Sequence, residues 1–401
     1  MNGSAKRSFP YPEWILPLRL PFAGVPPRVA ALRATLLAAT FCGILASRRL
    51  WLTEREFPKV PVYSAFPQLP APVDAVFLGV LLLALLIAFW RYRPFVIFFL
   101  AGALFLYFGD QNRGQPWFYL YCLMLALTLL PAPVSLAGGR LVVTAVYLWA
   151  GIQKCNPGYY SIVVPYMIEP VRDWNGGLVT VARLLVSAAP ALEFFIAIAL
   201  WVPVLRRVAI TSAAALHVIA LLILGPLGHN YNFVVWPWNL AMIALVLTLF
   251  PPVRLHETFR ELRSSIAGLC TVAAVWFLPI LSYSGRWDSY FSFALYSGNS
   301  AKADIFLTRA TVGKLPGVLQ RHAHSVHPDV LAHSPNLSGL FVFDYQSWAQ
   351  AELGVPPVPE PRAYRAIARH LAQFASQSGD LHLTLQPRGG RVQVLQAGDL
   401  R

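Results

Sequence analysis

The chain has 401 residues, of which 57% are hydrophobic and only 12% are charged, and its mean hydropathy is positive. Soluble globular proteins do not reach that balance, so the composition predicts an integral membrane protein in contact with the lipid bilayer. The formal net charge of +14 does not indicate nucleic-acid binding. The arginines lie mostly between apolar runs, where basic residues fix membrane topology and meet anionic head groups.

Residues 1–29 form a basic, Pro-rich segment that we expect to be cytoplasmic. The first apolar run, near residues 30–47, ends in SRRLW without a small-x-small cleavage site, which indicates an uncleaved first span. Further runs fill residues up to 284 and predict an α-helical transmembrane domain, 30–284, of about nine helices. The candidate spans are 30–47, 73–90, 95–108, 118–130, 141–153, 188–204, 207–225, 233–250 and 266–284.

The distribution of arginines predicts the orientation of these spans. With the N-terminus inside, the short outer connections at 109–117 and 226–232 hold only Arg113, although Arg48 and Arg49 also fall outside. The inner connections hold Arg91, Arg93, Arg140, Arg206, Arg207, Arg254, Arg260 and Arg263. An odd number of spans then places the C-terminal residues outside the cytoplasm. The high Arg and Ala content is typical of a GC-rich bacterial genome, so the expected location is the bacterial inner membrane.

Residues 285–401 have soluble composition and predict a small extracytoplasmic α+β domain. Strand-like segments occur at 304–310, 340–345 and 381–387, and an amphipathic helix with a basic face is predicted at 361–374, after a rigid connector at 354–361. The four cysteines lie in or beside apolar runs, so no disulfide framework is indicated. Four histidines, His322, His324, His327 and His333, fit no closed zinc pattern, which favours a solvated loop and no metal site.

Lys154 ends the apolar run in YLWAGIQKCNPGYY, residues 147–160. A lysine at a helix end usually extends to the membrane interface. If it is desolvated instead, its charged form is disfavoured and it can act as a base. Intramembrane ionisable groups are costly and tend to mark functional sites. Glu193, inside another apolar run, should for the same reason face the protein interior and seek a partner.

Two other stretches are candidate site walls. The polar turn GDQNRGQPWFYLY, residues 109–121, carries Asp110, Gln111, Asn112, Arg113 and Gln115. It is either a polar site wall or a solvated loop with an aromatic belt at Trp117, Tyr119 and Tyr121. His217 lies mid-run, where a histidine is more often an interhelical hydrogen-bonding group than a ligand. His229 lies in an uncharged outer turn with Asn230 and Asn232.

Taken together, these motifs resemble the membrane region of the vitamin K-dependent gamma-glutamyl carboxylases and the wider HTTM group. That family has an Asp, then Tyr-Leu-Tyr nine residues on, then a helix ending in Tyr-x-x-Ala-Gly-x-x-Lys. The matching residues are Asp110, Tyr119, Leu120, Tyr121, Tyr147, Ala150, Gly151 and Lys154. His217, after the Arg206–Arg207 turn, resembles the helical histidine of the family. The resemblance covers roughly residues 30–284.

The resemblance implies a reduced quinone, a vitamin K-like hydroquinone, as cofactor. Lys154 would be the base that deprotonates it, with Asp110, Arg113, Trp117, Tyr121, His217 and His229 around it. In the carboxylases, oxygen then adds, and the strong base that results removes a proton from a glutamate whose carbanion captures carbon dioxide. Trp117 replaces a histidine of the carboxylases and the outer domain is smaller, so the resemblance does not carry glutamate carboxylation over to this chain.

Two functions from different classes remain open on the sequence. One is a carboxylase-like, quinol-dependent enzyme that modifies a peptide or a small molecule. The other is a non-catalytic quinone- or lipid-binding subunit that recruits a peptide or protein partner through its outer domain. A solute transporter has less support, because the chain lacks repeated halves with paired broken helices.

Overall fold

A computed structural model describes residues 21–327 and 337–400. It is mostly helical, with a small antiparallel sheet near the C-terminus. The helices of the first region are α1 (Pro27–Ala46), α2 (Arg48–Trp51), α3 (Val73–Ile87), α4 (Tyr92–Gly109), α5 (Pro116–Leu127), α6 (Ala132–Lys154), α7 (Val164–Ile168), α8 (Gly176–Ser187), α9 (Ala189–Ala199), α10 (Arg206–Leu224), α11 (Val235–Leu249), α12 (Leu255–Leu262) and α13 (Ile266–Phe277). A π-helical turn precedes α7 at Tyr159–Val163, and a 3₁₀ segment continues α13 at Leu278–Ser284.

Each predicted apolar run contains a helix, but nine spans are not confirmed. Five helices among the described residues are long and apolar enough to cross a membrane, or six if the pair α8 and α9, bent by 48°, counts as one span. Helices α3, α5 and α11 are shorter apolar helices. Two prolines explain the short length of α5. Pro116 is its first residue, and Pro131 lies between its end and the start of α6.

Helix α6 is the centre of the bundle. Of its most apolar stretch, 78% is buried, against 17% for α10. It packs against α5, α9, α11, α12 and α13. A helix enclosed on most sides can carry polar side chains into the protein interior, whereas α10 presents most of its surface outward. The face that α6 turns toward α9 carries Lys154.

Basic side chains gather at the end of the bundle where α6 begins. Arg140 donates from Nε to the carbonyl of Leu249 at 2.8 Å and lies 3.4 Å from Glu261. Arg206 donates to the carbonyls of Leu200 and Val253. These contacts place two of the arginines that the sequence assigns to one side of the membrane, Arg140 and Arg206, at one end of the bundle.

The C-terminal region is an α+β structure, as the sequence predicts. Its strands are β1 (Lys302–Thr308), β2 (Ala323–Ser325), β3 (Leu340–Phe343), β4 (Leu381–Gln386) and β5 (Gln393–Gln396), paired antiparallel in the order β2-β3-β1-β4-β5. Its helices are α14 (Arg309–Lys314), α15 (Gly317–Gln320), α16 (Tyr345–Leu353), α17 (Pro361–Ala372) and α18 (Ala397–Leu400). Alternate residues Ala303, Ile305 and Leu307 of β1 are buried, on a sheet that α17 covers. The predicted strands and helix are all present, while β2 and β5 are too short for periodicity to reveal.

The two regions meet at the polar turn 109–115. Gln115 donates from Nε2 to the carbonyl of Pro356 at 3.1 Å, and the amide of Val358 donates to Asn112 Oδ1 at 3.4 Å. The turn is therefore buried beneath the connector and is not the solvated loop that the sequence allowed.

Candidate functional site

A cavity of about 210 Å³ lies between α6, α8, α9, α10 and α11. Its walls are mostly aliphatic and aromatic side chains, which suits an apolar ligand. A few polar groups reach it. These are the side chains of Tyr147, Lys154, Tyr159, Glu193, His217, Trp238, Asn239 and Tyr296.

Helix α6 supplies one wall of the cavity through its residue spacing. Tyr147, Ala150 and Lys154 are separated by three and four residues, so they share one helix face. This is the Tyr-x-x-Ala-x-x-x-Lys part of the motif. The spacing places the tyrosine two helical turns before the lysine, on the same wall.

Lys154 is held in an ion pair inside the protein. Its Nζ lies 2.8 and 2.9 Å from the two carboxylate oxygens of Glu193 on α9, and it also donates to the carbonyl of Ala150 at 3.2 Å. The two side chains are only 12% and 10% exposed. Glu193 thus faces the interior and has a partner, as expected from the sequence, and the ammonium group of Lys154 is turned into the protein toward it.

Gly151 permits this pair to form. A Cβ atom at this position would lie 3.1 Å from the carbonyl oxygen of Pro190 and 3.4 Å from Cβ of Glu193. The absent side chain lets α9 approach α6 closely, one turn before Lys154. The Ala-Gly dipeptide of the motif therefore has a packing reason, since a larger residue would push Glu193 away.

His217 links three helices by hydrogen bonds. Its Nδ1 lies 2.7 Å from Oδ1 of Asn239, and its Nε2 lies 2.8 Å from the hydroxyl of Tyr147. Asn239 donates from its own amide nitrogen to the carbonyl of Val235, which fixes its oxygen toward the histidine. Nδ1 is therefore the protonated nitrogen, and Nε2 accepts the tyrosine proton. His217 is an interhelical hydrogen-bonding group and also lines the cavity.

The segment 293–296 closes the cavity on the side of the C-terminal region. Phe293 and Tyr296 line it, and both adopt left-handed backbone conformations, with φ of +57° and +51°. Bulky residues adopt such conformations rarely, and strained backbone tends to cluster at functional sites. Tyr296 accepts a hydrogen bond at 3.0 Å from the side-chain amide of Asn232. No sequence pattern indicates this segment.

The end of α6 and the residues after Lys154 hold residues 297–299, which directly follow the closing segment 293–296. Asn156 donates to the carbonyl of Ser297 at 2.8 Å, and Asn299 donates to Oε1 of Gln153 at 3.1 Å. Gly158 and Gly298 pack so closely that a Cβ on Gly298 would lie 2.5 Å from the backbone of Gly158. The NPG part of the motif thus ties the end of α6 to the chain that closes the cavity.

Asp110 and Arg113 lie elsewhere, in a buried charge cluster. Asp110 forms an ion pair with Arg55 and accepts from the amides of Val60 at 3.0 Å and Asn112 at 3.1 Å. Burial alone would raise the pKa of Asp110, but the guanidinium groups of Arg55 and Arg113 hold it below the ordinary value. Arg113 donates to the carbonyls of Leu106 and Trp51. This charge cluster fixes the conformation of the polar turn 109–115, against which the connector 354–361 packs.

Three further predicted residues also lie outside the cavity lining. Trp117 and Tyr121 are buried in the helical core, and a Cβ on Gly43 would lie 2.5 Å from the Trp117 ring. His229 stacks on the ring of Tyr166 at 4.3 Å and donates to its carbonyl at 2.8 Å. Of the seven predicted site residues, the structure brings only Lys154 and His217 to the cavity, where Tyr147, Glu193 and Asn239 join them.

The histidine-rich stretch forms no recognisable metal centre in the described part of the chain. His322 is buried and its Nδ1 lies 3.1 Å from the hydroxyl of Ser347, while His324 lies on β2. His333 lies outside the described residues. Within residues 21–327 and 337–400, no group of three His, Cys, Asp or Glu side chains could hold a metal ion.

No protein-family model matches this chain, and no curated protein or solved structure does either.

Proposed function

We propose that this chain is a carboxylase-like membrane enzyme of the HTTM kind, which binds a reduced quinone in the cavity and uses the Lys154–Glu193 pair to accept the proton of the quinol. The observation that carries the proposal is the position of the pair. A lysine and a glutamate in contact, nearly removed from solvent, line an apolar cavity between helices. Intramembrane ionisable pairs in such positions tend to be functional.

The residues present fit a reduced quinone. Aliphatic side chains from five helices suit its ring and tail, and Tyr147, Lys154 and His217 offer polar atoms on one side. Leu185 on α8 lines the cavity and is about half exposed, so a lipid-soluble ligand has a route in from the bilayer. Bound there, the quinol would supply its reaction with dioxygen, which converts quinol and oxygen to quinone epoxide and water and generates a strong base.

The contribution of the protein is to take up and hold a proton. The carboxylate of Glu193 lies 2.8 Å from Nζ, so a proton shift within the pair leaves a neutral amine and no change of net charge. That amine can then accept a quinol proton. The hydroxyl of Tyr147, fixed by its donation to His217, presents its oxygen lone pairs to the cavity as an acceptor. The apolar walls exclude water from a strong base.

A second candidate function is supported by the hydrogen bonds of Lys154, whose ammonium donors all have acceptors within the protein. An ammonium group has three donors, and Nζ has three acceptors, the two oxygens of Glu193 and the carbonyl of Ala150. The pair is complete without a substrate. This favours a non-catalytic quinone- or lipid-binding subunit, whose C-terminal region recruits a peptide or protein partner.

The two candidates differ in quinol turnover. Purified wild-type protein in detergent is given reduced naphtho- and benzoquinols, and oxygen uptake and quinone epoxide are both measured. We expect lysine-dependent epoxide formation, with Lys154→Met slowing it at least about 100-fold, the range for a lost general base. Lys302→Met, at an exposed lysine of β1, is the matched control and should retain full activity. Absence of turnover by the wild type would favour the binding subunit, whereas turnover by Lys154→Met at the wild-type rate would exclude Lys154 as the base.

We also propose a topology of nine spans in a bacterial inner membrane, with the N-terminus cytoplasmic and the C-terminal region outside. The support is the cluster of arginines at one end of the bundle and the packing of the C-terminal region on the turn at the other end. In this topology the cavity and Lys154 lie toward the outer face. A peptide or protein partner would then approach from the outside.

Cysteine labelling tests this topology. In a background whose native cysteines are replaced by alanine, we compare Gly379→Cys, where an added side chain meets no atom within 4 Å, with His256→Cys on the exposed face of α12. An impermeant maleimide added to intact cells should label Gly379→Cys, and His256→Cys only after permeabilisation. The reverse pattern would place the C-terminal region in the cytoplasm.

A further inference from the structure

A second pocket, of about 400 Å³, lies where the helical region meets the C-terminal region. One side is the chain that follows α13, and the other is the β4–β5 connection. The lining includes the side chains of Tyr283, Trp287, Ser289, Glu360, Arg388 and Arg391. None of them lines the apolar cavity.

Arg388 has hydrogen-bonding capacity to spare. Its Nη2 donates to Oε1 of Gln153 at 2.6 Å, and its guanidinium lies 4.2 Å from the centre of the Tyr283 ring. Its Nε and Nη1, and Nε1 of Trp287, are buried and make no hydrogen bond within the described residues. Buried donors without acceptors are rare and costly, so a group of three at one pocket favours an incoming acceptor.

The charge of the pocket selects an anion as that acceptor. Arg388 and Arg391 line it against one acid, Glu360, whose carboxylate accepts from the amide of Ser289 at 2.7 Å. Asp288, next to the lining, is paired with Arg362 at 2.9 Å. The lining therefore has an excess of positive charge. A guanidinium whose Nε and Nη1 have no acceptor matches phosphate and carboxylate oxygens in charge and in geometry.

Exposed apolar side chains lie next to the lining residues along the chain. Ile280, Leu281 and Tyr283 project from the end of the apolar segment Ile266–Ser284, and Val392 and Val394 project from the β4–β5 side. If Ile266–Ser284 crosses a bilayer, a polar pocket at the end of this segment, with apolar groups next to it, would lie at the depth where lipid head groups meet acyl chains.

We propose that this pocket binds the phosphate head group of an anionic phospholipid, with Arg388 and Trp287 donating to its oxygens and the acyl chains lying over the exposed apolar residues. The site is separate from the quinone cavity and does not rest on the proposed enzymatic function. It would hold the C-terminal region against the membrane surface. It would also fix Gln153, which precedes Lys154, through the hydrogen bond from Arg388.

Native mass spectrometry of the full-length protein tests this site. The purified protein is equilibrated with equal amounts of phosphatidylglycerol and phosphatidylcholine of the same acyl chains, and the retained lipids are counted. The wild type should retain phosphatidylglycerol about tenfold over phosphatidylcholine, as expected for charge-assisted hydrogen bonds to the anionic head group. Arg388→Gln should reduce that ratio to near unity. Arg321→Gln, at an exposed arginine of the same region, should leave it unchanged.

A second variant, Arg391→Gln, tests the site even if Arg388→Gln fails to fold. Arg391 lines the pocket and is exposed. Arg391→Gln should therefore lower the ratio of retained phosphatidylglycerol to phosphatidylcholine several-fold, and it leaves the hydrogen bond between Arg388 and Gln153 in place. Equal retention of the two lipids by the wild type would overturn the proposal. Binding of inorganic phosphate by the wild type and not by Arg388→Gln, together with no preference of the wild type between the two lipids, would assign the pocket to a soluble phosphate and also overturn the proposal.

Discussion

Replacement of Lys154 alone by methionine is expected to destabilise the folded protein by about 3–5 kcal/mol, since removing one member of a buried ion pair leaves an uncompensated charge. Glu193 would keep its carboxylate only 10% exposed and lose its cation. Glu193→Met should destabilise the protein by a similar amount, because the buried ammonium group of Lys154 would lose its carboxylate partner. Thermal unfolding of the purified variants in one detergent measures both effects.

The double variant Lys154→Met/Glu193→Met is expected to recover most of that loss. Buried ion pairs are often no more stabilising than apolar residues of similar volume, because desolvation offsets their attraction. The two effects should therefore be strongly non-additive, as for residues in direct contact. Additive losses would show that the two side chains do not interact as the 2.8 Å distance implies.

The double variant also separates folding from chemistry. It restores charge balance but contains no amine, so it should be folded and still fail to oxidise quinol. The single variant could lose activity simply by unfolding. An active double variant would mean that the pair has a structural role only and that quinol oxidation does not use Lys154 as its base.

The sequence predicts an ionisable group at the end of an apolar run, but neither the burial of Lys154 nor the identity of its partner could be predicted. Burial of a carboxylate in an apolar run requires a counter-charge, which is why Glu193 was expected to have one. That the counter-charge is Lys154 depends on the approach of α9 to α6 at Gly151. The two residues are 39 positions apart, and no local pattern encodes which helices pack together.

The burial of the polar turn 109–115 could not be predicted from its sequence. Its composition fits a solvated loop or a site wall equally well, and the structure buries it beneath a connector some 240 residues later, through the Gln115–Pro356 hydrogen bond. The strained closing segment was missed for another reason. Asparagine tolerates left-handed backbone, so Asn230 and Asn232 carry a sequence signal, whereas Phe293 and Tyr296 do not.

Asp110→Asn should produce the second large effect, a destabilisation of about 3–5 kcal/mol, through loss of a buried charge. Arg55 and Arg113 would remain, with the Arg55 side chain 2% exposed and Arg113 3% exposed. Because the turn carries the connector, protease sensitivity near residues 354–361 should rise as well. Thermal unfolding and limited proteolysis measure the two consequences.

A matched control is the exposed pair Arg172–Asp173, whose atoms lie 3.7 Å apart and whose side chains are 71% and 91% exposed. Solvent screens such a pair, so Asp173→Asn should leave the melting temperature unchanged. An equal effect of both substitutions would mean that burial of the Asp110 cluster does not determine its contribution.

The lowered pKa of Asp110 also predicts how stability depends on pH. Burial raises it, but the attraction of Arg55 and Arg113 outweighs burial, so the folded carboxyl binds a proton less tightly than the unfolded one. Its stabilisation is then complete above the unfolded pKa, about 3.9, and is lost as the pH falls through the folded value. The melting temperature of the wild type should drop below about pH 4, and that of Asp110→Asn should drop less over the same range. Parallel curves for the two proteins would assign acid unfolding to other carboxylates.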